Sequence, residues 1–318
     1  MKSFRSMLSY PRSLLHRSFA TFLVLVKIML PVMLLVRLGD LYGLTDALGR
    51  GLAPVMALVD LPPEAGLIWA VTLLTSLYGG LGAFVSLQGE MALTVAEISV
   101  LASLMLFAHA LPVEQAIVRR AGASFLATSA LRVGVGFVYA AVVAWIYRLT
   151  ETVSPVVALD WMPAGLSTPD WSSWALATGQ SLLTMLTIIV ALFLLLDVLK
   201  ALGVIAWSTR ALNPLLRLLG IPPSLAPLTS IGLLLGLSYG GGLIIQETMT
   251  TRYDKRDLFL ALSCLSLCHS LIEDTALMLA IGADVWVVLV GRIVATVVVI
   301  AALARLVHRA GPRPLPQG

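Results

Sequence analysis

The densest set of side chains able to hold an ion or a proton lies in one apolar run, Cys264-Leu-Ser-Leu-Cys268-His269-Ser270-Leu-Ile-Glu273-Asp274-Thr275. A helix turns about 100° per residue, so one continuous helix sets His269 and Glu273 on a common face, four residues apart. On that helix Cys264 and Cys268 share another face, about 100–140° away, and Asp274 points about 100° from Glu273. His269 and Glu273 are therefore expected to hold one ion or proton together. The cysteines join them only where the helix breaks or a further ion sits beside them. A related stretch, His109-Ala-Leu-Pro112-Val-Glu114-Gln115, lies earlier in the chain. Pro112 should interrupt that helix and fold Glu114 back beside His109. Imidazole with carboxylate suits divalent first-row metals, among them iron, manganese, cobalt and zinc. The same residues suit a proton relay, or plain interhelical hydrogen bonds. Spacing alone does not choose, because neither His-Glu-x-x-His nor Cys-x-x-Cys occurs.

Composition sets the medium in which these groups work. Of 318 residues, 59% are hydrophobic and 12% charged, and the mean hydropathy is +0.96. A soluble domain is about 45–50% apolar and about 25% charged. The chain therefore cannot be a soluble globular enzyme or a disordered protein. Two cysteines are too few for a secreted disulfide scaffold. A polytopic protein of the lipid bilayer remains, and there each ionisable residue within a span is costly enough to imply a use. The formal net charge is +4. No basic stripe interleaved with aromatics accompanies it, so it reflects loop topology and no nucleic-acid partner is expected.

The elements that must position the ionisable groups follow from the apolar runs. Residues 1–17 form a basic lead with Lys2, Arg5, Arg12, His16 and Arg17, and a first membrane helix is predicted over 18–36. No small-residue cleavage site marks a signal peptide. Runs of about 20 residues, long enough to cross about 30 Å of hydrocarbon, follow over 65–87, 92–111, 124–147, 178–199, 225–248, 258–280 and 284–307. Shorter stretches at 44–58 and 203–219 carry arginines and read as interfacial or re-entrant helices. Residues 149–177, with Asp160, Asp170, three prolines and three tryptophans, read as an extracytoplasmic linker. Residues 309–318 read as a flexible tail.

An offset of 160 residues aligns two halves, 18–148 and 178–308. Leu61-Pro62-Pro63 meets Ile221-Pro222-Pro223, His109 meets His269, Gly122 meets Gly282, and Arg132 meets Arg292. With a slip of one residue, Tyr78-Gly79-Gly80 meets Tyr239-Gly240-Gly241. Both chain ends are basic and the linker is acidic, so the positive-inside rule places the ends inside and the linker outside. The halves are then inverted, with a substrate site near the midplane where they meet. Each half has four long runs, an even number, so one run must be re-entrant or a short one must cross. Gly79, Gly80, Gly240 and Gly241 are expected to break helices there, although close helix packing would also account for them. Gln246 and Glu247 follow the second glycine cluster as substrate contacts or as a loop end in water. Arg132 and Arg292 are charge partners for Glu114, Glu273 or Asp274, or contacts for an anionic substrate. The reading preferred from sequence is that they snorkel to the interface. Lys27 is expected to pair with Asp197.

The paired Tyr-Gly-Gly segments and the His-Ser-Leu-Ile-Glu-Asp-Thr run resemble the Gate, or nucleoside-recognition, domain family, over most of residues 20–310. The resemblance implies kinship with the membrane part of the ferrous-iron transporter B, with spore-maturation membrane proteins and with concentrative nucleoside transporters. For the iron transporter it implies a cysteine near a helix break. Here Cys264 and Cys268 fall in the second half only, and no Gly-x-x-x-x-Gly-Lys-Ser/Thr loop for a GTPase is found.

The expected protein is an all-α, polytopic membrane helix bundle of two Gate-like halves in an inverted repeat with broken or re-entrant helices. Its expected place is the bacterial inner membrane, with both termini cytoplasmic. The leading function is a secondary transporter or permease for divalent metal cations, iron-like in kind. Its path is His109, Glu114, His269, Glu273 and Asp274, with Gln246, Glu247, Tyr78 and Tyr239 along it. Its metal ligands are His109, His269 and Glu273, with softer Cys264 and Cys268. A nucleoside or other small polar solute permease is the alternative, and a non-transporting scaffold the next. No enzyme activity and no resident cofactor are expected; a bound divalent metal would be substrate. A homodimer is compatible with the sequence and not required by it.

Overall fold

The computed structural model describes residues 2–152, 154–157, 170–222, 224–251 and 253–309. Asp160, the residues around it in the linker, and residues 310–318 of the tail lie outside them. The described residues form an all-α bundle, and the one β contact among them is an isolated bridge, Thr94 to Val156.

The first half runs through α1 (Lys2–Leu41), α2 (Leu44–Ala57), α3 (Pro63–Leu74), α4 (Leu77–Leu87), α5 (Val95–Phe107), α6 (Leu111–Arg120) and α7 (Phe125–Leu149). The second runs through α8 (Trp171–Ala201), α9 (Val204–Leu218), α10 (Ala226–Thr250), α11 (Lys255–Leu267), α12 (Glu273–Ala280) and α13 (Arg292–Arg309). A π-helical segment, Trp286–Gly291, leads into α13. The basic lead is the start of α1, not a separate element. The short runs at 44–58 and 203–219 become α2 and α9, each entered through a left-handed glycine, Gly43 and Gly203.

Local chemistry explains the starts. Thr94 and Glu97 form a reciprocal capping box at α5, and Ser124, Asp170 and Asp254 cap α7, α8 and α11 with their side chains. At Asp170, bonds from the Ser172 hydroxyl and the Ser173 N–H hold the carboxyl down at about 2.

Five segments are long and apolar enough to cross a membrane: Tyr10–Leu41, Val95–Arg120, Phe125–Leu149, Trp171–Ala201 and Trp286–Leu306. Their burial sorts them. In Val95–Arg120, 72% of the most apolar window is buried, against 17–28% in the other four. Thus α5 is the central helix, and α1, α7, α8 and α13 face lipid with side chains such as Leu35, Val138, Leu183 and Val298. The protein is an integral membrane protein.

Four of the long runs are broken, and the breaks recur 160 positions apart in the two halves. The run 65–87 breaks at Thr75–Ser76 between α3 and α4. The run 92–111 breaks after Phe107, with Ala110 at φ 48°. The run 258–280 breaks after Leu267, with Ser270 at φ 52°. Inside α10, Gly236 is non-helical at φ 82°. Ser76 and Gly236, and Ala110 and Ser270, are each 160 positions apart. The expected break glycines are not the breaks. Gly79 and Gly80 lie within α4, and Gly240 and Gly241 lie in helical stretches of α10. Gly80 is where α4 passes Thr72 and Met105, and Gly241 is where α10 passes Ile117, so close packing is what those two positions use.

Candidate functional site

A break within a membrane span frees backbone groups that lipid cannot satisfy. Each break here is met by specific partners. Arg132 donates Nε to the Phe107 carbonyl at 2.8 Å, and Arg292 donates Nε to the Leu267 carbonyl at 3.2 Å. Arg292 also reaches the carbonyls of Leu106 and His269. The Ala110 N–H donates to Thr72, and the Leu271 N–H to Leu233. Both arginines are fully buried, at 0% and 1% exposure, so the expected snorkelling to the interface does not occur. Arg132 forms an ion pair with Glu114, and its Nε bond ties that pair to the break.

These breaks bring the two histidines together. His109 Nδ1 lies 2.9 Å from the Met105 carbonyl, and His269 Nδ1 lies 3.0 Å from the Leu265 carbonyl. A carbonyl only accepts, so each Nδ1 carries the ring proton when the ring is neutral. The two Nε2 atoms then present lone pairs, and they face each other at 2.9 Å. Two facing lone pairs repel, and a cation or a proton between them removes the repulsion.

Carboxylates surround the pair. Glu114 Oε1 lies 3.2 Å from His269 Nε2 and 3.5 Å from His109 Nε2. Asp274 Oδ2 lies 3.8 Å from His109 Nε2. His109, His269 and Asp274 offer one ligand atom each, all within 4.8 Å of one another. Ligands about 2.0–2.2 Å from a tetrahedral ion stand about 3.4 Å apart. The four closest pairs, at 2.9–3.8 Å, lie around that value, and the His109, His269 and Asp274 ligand atoms as a set spread to within 4.8 Å.

The set borders a cavity of about 200 Å³. Its polar wall is His109, Glu114, His269, Asp274, Ser76, Tyr78, Ser270 and Glu273, with Leu25 and Ile28 of α1 also lining it. Among the described residues no Lys or Arg lines it. Tyr78 donates to Glu273 at 2.8 Å and so joins α4 to α12.

Several expected positions change. The run from Cys264 to Thr275 is not one helix, so His269 and Glu273 are not partners on a face: α12 starts at Glu273, and Asp274 meets the histidines instead. Cys264 and Cys268 are buried but do not line the cavity. Gln246 and Glu247 are exposed near the end of α10, where Glu247 accepts bonds from Thr251 and Tyr253. Asp197 pairs with Arg17 and Tyr10, not Lys27. Glu114 does fold back beside His109, but the chain breaks before Pro112, which sits in the first turn of α6. The side chain of Tyr239 lies outside the described residues. Sequence reasoning missed Ser76 and Gly236, and the carboxylate beside His269 is Glu114, at 3.2 Å, where Glu273 was expected. The offset that aligns the histidines also aligns Glu114 with Asp274 and Ser76 with Gly236.

Comparison with known proteins agrees with this architecture. A family model described as Gate, nucleoside recognition, matches residues 182–285. No solved structure matches the chain. A protein of Bacillus subtilis (strain 168), described as "Uncharacterized membrane protein YvoD", is 30% identical over 297 residues, spanning 91% of this chain and 92% of its own. With that relative matched along nearly its whole length, and the Gate match inside the shared region, the chain belongs to the Gate family of membrane proteins.

Proposed function

We infer that the chain is a membrane permease whose substrate is a divalent metal cation. The carrying observation is the facing Nε2 pair of His109 and His269, with each Nδ1 committed to a backbone carbonyl. Such a pair is built to accept a positive centre. Asp274 adds an oxygen ligand, Glu114 stands beside the pair while held by Arg132, and imidazole with carboxylate suits first-row divalent ions. Glu273 extends the acidic wall toward Tyr78, giving an arriving cation a further carboxylate.

Cavity size supports an ion over a nucleoside. Organic ligands occupy clefts of about 300–1,000 Å³, and this one is about 200 Å³. The metal here is cargo; the reading includes no bond-making chemistry and no resident cofactor. The 160-residue recurrence of breaks, histidines and arginines supports two halves with inverted orientation, rocking about the shared site. Basic residues at both ends and an acidic linker support cytoplasmic termini in a bacterial inner membrane.

The test is metal entry into liposomes holding purified protein and a metal-quenched dye. Iron(II), manganese, cobalt and zinc are compared with protein-free liposomes and with His269→Ala. Quenching that needs both the protein and His269 is the expected result. No protein-dependent quenching by any of the four ions, from folded protein, overturns the reading in favour of an organic solute or a scaffold.

A further inference from the structure

The halves part at one place where their equivalents otherwise match. The 160-residue offset pairs Glu114 with Asp274 and Arg132 with Arg292. Each arginine gives Nε to the carbonyl at its own break. Beyond that bond they differ. Arg132 closes an ion pair on Glu114 through Nη1. Arg292 makes no hydrogen bond to Asp274; its Nη2 goes to the carbonyls of Leu106 and His269, at 3.0 and 3.3 Å. Its Nη1 is buried without a hydrogen-bond partner, and so is Asp274 Oδ2. Arg132 likewise keeps one nitrogen, Nη2, without a partner, so the halves differ at the carboxylate: Glu114 is closed on its arginine, and Asp274 Oδ2 is left orphaned beside an arginine with an unused Nη1.

We propose that the two carboxylates exchange roles between two states: here Arg132 holds Glu114 and Asp274 is free, and in the opposite state Arg292 holds Asp274 and Glu114 is free. The proposal rests on the permease reading of the histidine pair. In a carrier of two inverted halves, the two access states are one arrangement with the halves exchanged. A packed core supports discrete arrangements of this kind, because ion pairs inside it are either closed or open. A carboxylate closed on its arginine is neutralised, and the open one keeps its charge for the cation. The cation's free oxygen ligand is then Asp274 in one state and Glu114 in the other. The two imidazoles serve in both, so the charge offered to the cation stays constant.

Asp is one methylene shorter than Glu, and that length difference alone is the competing cause of the asymmetry. The experiment separates the two. Ile28 lines the cavity from α1. Ile28→Cys is made in protein with Cys264→Ala and Cys268→Ala, and labelled without metal by a membrane-impermeant maleimide. Labelling is run in right-side-out and in inside-out vesicles, and the ratio of the two rates is read. Asp274→Asn removes the pair of the opposite state and shifts the ratio further toward the parent's preferred side. Glu114→Gln removes the pair of the present state and shifts it the other way, with about tenfold or more between the two variants. Shifts in the same direction, no shift, or labelling from neither side in any variant each overturn the proposal. Where Glu114→Gln does not fold, the swap Glu114→Asp with Asp274→Glu keeps the charge count. It is expected to shift the ratio as Glu114→Gln would, and an unmoved ratio overturns the proposal. Failure of the permease reading is seen separately, as absent metal flux in protein whose labelling ratios still move.

Discussion

His109 and His269, 160 residues apart in the chain, hold their Nε2 atoms 2.9 Å apart. Each ring is fixed by the carbonyl four residues before it, so neither can turn away without losing a buried bond. On the permease reading the two form one ligand unit. His109→Ala and His269→Ala are each expected to lower divalent metal affinity by at least about 100-fold, the upper end of what even outer-shell changes do. The double variant should be little worse than either single, because one imidazole alone no longer makes the site. Equilibrium binding in detergent, with circular dichroism as a fold control, measures this. A single variant that binds as tightly as the parent would show that the pair is not the ligand.

Metal and protons compete for the same Nε2 atoms. Binding should therefore weaken, and flux should fall, as the pH is lowered. Metal at 100 times its Kd should also raise the stability of the folded protein by about 2.7 kcal/mol, since it binds only the folded form. Thermal unfolding at several pH values reads both effects in one titration. Stabilisation that grows on acidification would exclude the imidazoles as ligands.

Arg132 lies fully buried between Glu114 and the Phe107 carbonyl. Removing it strands a carboxylate and an unsatisfied carbonyl at the centre of the bundle. Arg132→Ala is expected to cost about 3–5 kcal/mol, the range for breaking a buried ion pair by removing one partner. Arg132→Lys should recover only part of it. An ammonium is a point charge, whereas the planar guanidinium serves the carboxylate and the carbonyl from two nitrogens at fixed geometry. Arg132→Leu with Glu114→Leu should be less harmful than Arg132→Ala alone, because no charge is left unpaired. Denaturant midpoints of the three variants test the order.

Much of this arrangement was legible in the sequence. Composition and run length gave the membrane bundle, and the matched histidines gave the meeting point of the halves. The fold-back of Glu114 beside His109 was also legible, since Pro112 signals a helix boundary there, although the chain breaks before it and Pro112 opens α6. Two things were not. Periodicity assumes a continuous helix, so the break between Leu267 and Glu273 was not visible, and with it Asp274, not Glu273, comes beside His109. The breaks themselves carry weak local signals, since Ser76 and Ala110 are ordinary residues held in place by Thr72, Arg132 and the neighbouring helix ends. The burial of Arg132 and Arg292 was hidden for the same reason. An arginine near a helix start reads as interfacial until the carbonyls it must satisfy are known.

The glycines show what the sequence signal did mean. A methyl group at Gly80 would meet the Thr72 side chain and come within 2.9 Å of the Met105 terminal carbon. Thr72 is not free to yield, because its hydroxyl bonds the Ile68 carbonyl and its own carbonyl accepts from Ala110 at the break. Gly80→Ala is therefore expected to destabilise by about 1–3 kcal/mol, the usual cost of overpacking. It should also disturb metal binding, since Thr72 anchors the segment that carries His109. Gly242, in the Gly-Gly-Gly cluster of α10, has nothing among the described residues within 4 Å of such a methyl group. Gly242→Ala should be neutral or stabilise by up to about 1 kcal/mol, as alanine does in an open helix position. If these glycines were hinges instead, both substitutions would slow flux and neither would change stability by this pattern. Unfolding midpoints and metal affinity of the two variants, measured side by side, decide between packing and hinge.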